Sequence, residues 1–334
     1  MKPPFLPLTS FSAGLFRRSL QTLSLAVFAG AAGASSALGC SVCGCSLSSD
    51  WAAQGYAATS GFESGLRYEY FEQSDLRSGT GRVNRAALAF PNDDEIQQRT
   101  VNRNTWLDLN YVADPRWAIS VQLPYLDRLH TTIAAGDTAI STSDATGLGD
   151  VRVLGRYQSL GTTRSFGFQF GLKLPTGRFD QNFSSGPQAG GLLDRGLQLG
   201  TGTADLLLGA SWFTRPMTNL GCFTQIMFQQ PLAERAGFTP STSVTVSGGI
   251  RWLNASSFTP QLQINVKSEG REHGAEADTP NSGGTLAYLS PGVTTELTTD
   301  AIGYVFVQLP AYQRVNGLQL EPKWLLSVGL RWRL

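Results

Sequence analysis

The chain has 334 residues, a formal net charge of +1, and 15% charged against 41% hydrophobic residues. So even a balance gives no reason to expect a nucleic-acid partner. Mean hydropathy is −0.10, and past the N-terminal leader no run of about eighteen apolar residues occurs, which argues against a bundle of membrane helices.

Residues 1–39 read as a secretory signal peptide. Lys2, Arg17 and Arg18 precede an apolar stretch from Leu20 to Ala32, and small residues follow from Gly33 to Gly39, so cleavage after Ala37 or Gly39 fits. A membrane anchor is the alternative, but the apolar stretch is short for a span. Arg17-Arg18 is read as ordinary leader charge rather than a twin-arginine export signal, because its surroundings match that signal poorly.

Residues 40–60 form a periplasmic segment ahead of the main domain, carrying Cys40, Cys43 and Cys45. Three thiols in six residues could hold a soft ion such as Cu(I), since thiolates prefer soft metals. A Cys40–Cys43 disulfide in the oxidising periplasm and lipidation of Cys40 remain open beside it. No cofactor is otherwise required.

From Gly61 onward, segments of about ten residues alternate apolar with polar or small side chains, the period that separates the two faces of a strand. In Phe258–Lys267, Phe258, Pro260, Leu262, Ile264 and Val266 form one face, and Thr259, Gln261, Gln263, Asn265 and Lys267 the other. The pattern predicts about twelve strands, near 61–72, 100–112, 116–127, 149–159, 165–175, 203–214, 219–230, 241–253, 257–268, 285–297, 301–313 and 322–334. Short turns at 113–115, 160–163, 215–218, 254–256 and 298–300 alternate with long polar segments at 73–99, 128–148, 176–202, 269–284 and 314–321, and a shorter one at 231–240. Trp117, Tyr125, Trp212, Trp252, Trp324 and Trp332 fall in phase toward strand ends, as interfacial girdles do.

These features predict an all-β, transmembrane, antiparallel up-and-down barrel over residues 61–334, with short periplasmic turns, long extracellular loops and both termini periplasmic. A soluble sandwich or lipocalin-like barrel would not need twelve long strands with loops sorted by length. The apolar face meets outer-membrane lipid, and the polar face puts Arg67, Glu69, Asp108, Arg152, Arg156, Lys173, Asp205, Lys267 and Arg331 in the lumen. A charge on the lipid face near mid-membrane costs about 2–4 kcal/mol. Such a lumen is either a bracing network or a path for a small-molecule solute. The chain would reach its membrane through the barrel-assembly machinery.

Gly147-Leu148-Gly149-Asp150-Val151, Leu174-Pro175-Thr176-Gly177 and Leu199-Gly200-Thr201-Gly202-Thr203-Ala204-Asp205, with the closing Leu326–Trp332 strand, resemble markers of the outer-membrane barrels associated with the meta-cleavage pathway of phenol degradation. The resemblance covers about residues 60–334 and implies a transporter-like pore, with hydrophobic or aromatic compounds as candidate solutes. The final Leu334 departs from the usual closing aromatic.

An enzyme is not expected. His130 and His273 both fall at or in inferred extracellular loops, but His130-Thr131-Thr132 lacks a nearby Ser arranged as nucleophile with a base, and no Gly-x-Ser-x-Gly elbow occurs. The reading is an outer-membrane channel or transporter. A non-conducting barrel whose loops bind partners is the alternative, with a surface hydrolase behind it.

Overall fold

The computed structural model describes residues 47, 50–56, 60–159, 161, 163–253 and 257–334. The strands are β1 (Gly61–Gly79), β2 (Gly81–Arg82), β3 (Ile96–Asp114), β4 (Trp117–Ile133), β5 (Ser141–Leu148), β6 (Val151–Gln158), β7 (Arg164–Leu174), β8 (Asp205–Met217), β9 (Leu220–Pro231), β10 (Ser243–Trp252), β11 (Phe258–Glu269), β12 (Gly284–Glu296) and β13 (Ala301–Arg333). They form one antiparallel sheet in sequence order. β13 returns to β1 with Glu63 opposite Arg333 and Leu66 opposite Leu330, so the sheet closes. Closure satisfies every wall strand on both sides, which hydrocarbon demands of a spanning sheet. β2 and β5 stand outside the wall, paired with the ends of β1 and β4.

β13 has 33 residues, which would reach about 110 Å if straight. It doubles back instead. The Arg333 N–H donates to the Asp300 carbonyl at 2.9 Å, and the Gln313 amide donates to the Pro322 carbonyl at 3.0 Å. Its first arm pairs with β12 and its second with β1. The reversal falls at Asn316–Gly317, where Gly317 has φ +59, a left-handed value that glycine adopts without strain. Eleven wall strands, the last of them folded double, therefore give the twelve staves that the sequence predicted.

Short connections and long ones sort to opposite rims. At one rim the links run from two residues (115–116) to five (159–163); at the other they run from 11 (232–242) to 30 (175–204), apart from the tight reversal in β13. Three expected loops need correction. Residues 314–321 are strand, 73–79 continue β1, and 128–133 and 141–148 belong to β4 and β5. Leu76, Ile96 and Leu320 form a buried cluster with Val83, Leu88 and Leu318 packed against it, so the strands keep a core of their own beyond the expected ends.

The distribution of side chains is that of a soluble protein turned inside out. Phe166, Phe168 and Phe170 are 50–56% exposed on one face of β7. Gln263, Asn265, Gln308 and Ser327 are fully buried on inward faces. Apolar groups outside and amides inside suit a wall with lipid on its outer surface.

Candidate functional site: a chamber in the lumen

A chamber of about 460 Å³ lies inside the barrel. Its floor, at the short-turn rim, is the segment Asp50–Tyr56. Asp50 starts a tight turn by accepting from the Ala52 and Ala53 N–H groups at 3.0 and 3.2 Å. Gly55 has φ +81, and a Cβ there would overlap the Phe213 ring.

Wall residues then hold the turn in place. Gln158 donates to the Ala52 carbonyl at 3.1 Å and Arg251 to the Gln54 carbonyl at 2.5 Å. Asp50 accepts from Gln169 and pairs with Arg156 at 3.5 Å. The Tyr56 hydroxyl meets Thr294 at 2.7 Å and Gln261 at 3.0 Å, and Arg251 lies 3.6 Å from the centre of the Tyr56 ring. Residues 50–56 of the cysteine-bearing segment thus lie against the inner wall of the barrel. Cys40, Cys43 and Cys45 lie outside the described residues.

The roof comes from the 30-residue connection 175–204. Arg128 on β4 donates to the carbonyls of Leu197 and Gln198 at 2.7 and 3.2 Å. Arg195 sits 4.5 Å from the Phe179 ring and 5.0 Å from the Phe238 ring, and donates to the Thr201 carbonyl at 2.9 Å. The three glycine-rich motifs meet here. Asp150 accepts from the Gly177 N–H at 3.0 Å and from the Thr201 N–H and hydroxyl, each at 2.9 Å. A Cβ on Gly177 would lie 2.7 Å from the Gly200 Cα, so the two chain segments pass too closely for any larger residue. One aspartate and two glycines fasten the root of the roof to the end of the wall.

Arg67, Glu69, Asp108, Arg152, Arg156, Lys173, Lys267 and Arg331 all line the chamber. Most are matched in pairs: Arg67–Glu69 at 3.1 Å, Lys267–Glu269 at 2.6 Å and Arg331–Glu63 at 2.5 Å. Lys173 bridges Asp205 at 2.8 Å and Asp150 at 3.4 Å. Asp205 also faces inward, where it pairs with Lys173. It is fully buried behind Lys173, accepting from Gln229 at 2.5 Å, and does not reach the chamber.

Trp106 was missed by the sequence reading. Its indole N–H donates to Glu69 at 3.0 Å, and the guanidinium carbons of Arg67 and Arg152 lie 5.0 and 5.5 Å from its ring centre. The available signal was its phase, since it shares the inward parity of Asn104 and Asp108. His130 also needs correction. It is fully buried on β4, with Nδ1 2.8 Å from the Thr100 hydroxyl and Nε2 3.9 Å from Glu95. His273 is exposed in the connection 270–283.

A second acidic group gathers near the loops. Burial, joined by the charges of Glu272 and Glu95, pushes the Asp194 carboxyl well above the usual carboxylate range. Burial also raises Asp278 to about 6.

No family model and no curated protein matches the sequence. Among solved structures, the chain is similar to an outer-membrane channel from Pseudomonas putida F1, with a TM-score of 0.62 and 11% identity, over 84% of this chain and 98% of that one. The NanC porin follows at a TM-score of 0.43, with 11% identity over 81% of this chain and 100% of that one. The CymD monoaromatic hydrocarbon channel gives 0.40, with 7% identity over 83% and 89%. The last two likenesses are too loose to carry an argument. The first shows the fold, which is that of an outer-membrane β-barrel.

Proposed function

We propose that the chain forms a passage for small solutes across the outer membrane, narrowed at both ends in the state described. The observation that carries this reading is the chamber. A lumen that served only as a brace would fill with side chains, as small barrels do. Here about 460 Å³ stays open, lined by eight basic and seven acidic residues, within the ~300–1,000 Å³ typical of small-molecule sites. The short-turn rim faces the periplasm and the loop rim the exterior, following the usual sorting of barrel connections.

The lining suits a polar or charged solute. A wholly apolar compound would strip water from these charges and offer nothing in return, so an aromatic solute of the kind the motif resemblance implies would carry a polar handle. The alternative, a non-conducting barrel whose loops bind a partner, has no use for an open interior chamber.

The test is solute uptake and conductance of the purified full chain in liposomes and planar bilayers. Measurable uptake is expected, rising when residues 50–56 are deleted. A folded barrel that admits no solute in either form would remove the proposal and favour the interaction reading.

A further inference from the structure

Seven of the eight basic side chains lining the chamber are already engaged. Arg67, Arg156, Lys173, Lys267 and Arg331 pair with carboxylates, while Arg128 and Arg195 donate to roof carbonyls. Arg152 is the exception. Its guanidinium makes no hydrogen bond and no ion pair among the described residues, and its contact is the face of Trp106, 5.5 Å from the ring centre. Arg67, which shares that indole, sets a second positive charge beside it, and the charges of Asp205, Glu69 and Asp150 act on Arg152 without an ion pair.

A guanidinium kept in a protein interior without an acceptor is costly unless something supplies one. Asp108 lines the same chamber, and its charge acts on both arginines. It is not within ion-pair distance of Arg152 among the described residues. The fork of N–H donors therefore remains open toward the chamber.

We propose that Arg152, on the face of Trp106, binds the carboxylate of a small organic anion in transit, which makes it a specificity-determining residue of the passage. This rests on the proposed function and names its solute class. A planar guanidinium presents two parallel N–H groups that match the two oxygens of a carboxylate. The indole beneath it gives a flat surface on which an attached ring can stack. Arg67 adds positive potential and is itself ion-paired with Glu69. Asp108 opposes an incoming anion and keeps the site weak enough to release it, as conduction requires.

The experiment is equilibrium dialysis of the detergent-solubilised full chain against benzoate, acetate and inorganic phosphate. Benzoate is expected to bind best and acetate more weakly. Arg152→Gln should weaken benzoate about tenfold or more, with Arg152→Lys falling between it and the parent. Because Arg152 makes no hydrogen bond or ion pair among the described residues, the variant gives up only its contact with the Trp106 ring. Asp108→Asn supplies an independent check, since it should tighten benzoate binding. Equal benzoate binding by the parent and Arg152→Gln would overturn the inference, and so would a preference for phosphate over both carboxylates. Binding needs no conduction, so the two readings fail separately. Arg152-dependent binding without liposome uptake removes the passage and keeps the site. Uptake indifferent to Arg152 removes the site and keeps the passage.

Discussion

Replacing Asp50 by alanine should loosen the floor of the chamber and raise conductance. The side chain performs two tasks. Its Oδ1 caps the turn through the Ala52 and Ala53 N–H groups, and losing such a cap costs about 1 kcal/mol. Its carboxylate also accepts from Gln169 and pairs with Arg156 at 3.5 Å. These partners are only partly buried, so the second loss is discounted for solvent screening to about 1–2 kcal/mol. Together the change is about 2–3 kcal/mol, or roughly 30–150-fold in the equilibrium for releasing the floor, at 1.4 kcal/mol per tenfold. The ties through Gln158, Arg251 and Tyr56 remain. Single-channel recording should therefore show more frequent opening rather than a permanently open pore. Asp50→Asn keeps the cap and a hydrogen-bonding oxygen, and should shift opening by less than tenfold. The reasoning fails if Asp50→Ala opens no more often than the parent while its barrel resists unfolding normally.

Gly55→Val should act in the same direction, because φ +81 and the adjacent Phe213 ring leave no room for a side chain; recording of openings checks it. Phe168→Arg puts a charge on the outward face near the middle of β7 and should destabilise the barrel by about 2–4 kcal/mol, measured by denaturant unfolding from lipid vesicles. The connection 270–283 should lose stability as pH rises from about 4 to 6. With Asp278 raised to about 6 from 3.8 in the folded loop, the unfolded segment releases its proton first, so the stabilisation present below pH 4 is lost through that window. Hydrogen exchange of residues 270–283, corrected for intrinsic rate, should speed up across the window, and Asp278→Asn should flatten the change.

The wall was legible because lipid imposes a strict rule on it. Phe166, Phe168 and Phe170 had to alternate with small or polar residues, since one face meets hydrocarbon and the other does not. Past the lipid that rule lapses. Leu76, Ile96 and Leu320 bury against one another rather than against a solvent of uniform character, and residues 73–79 and 314–321 accordingly looked like loops. The inward face was read from parity, and Arg152 and Lys173 line the chamber. Parity says nothing about depth, so it could not separate Asp205, hidden behind Lys173, from residues that reach open space. The floor left almost no trace. Seven residues with one capping aspartate do not announce that Gln158, Arg251 and Thr294, more than a hundred positions away, will receive them.

The seam between β1 and the second arm of β13 has a kinetic consequence. Glu63 and Arg333 are partners across 270 positions, while the other wall pairings join neighbouring strands. Everything between them can zip locally, hairpin by hairpin, but this last pairing waits for the whole intervening chain. Until it forms, the curved sheet carries two unsatisfied margins, each able to capture a strand from another molecule. By contact order, closing that ring should be the slow, exposed step in maturation. A change that weakens the Glu63–Arg331 bridge at the seam, 2.5 Å long, should reduce the yield of assembled barrel more than the endurance of those that do assemble.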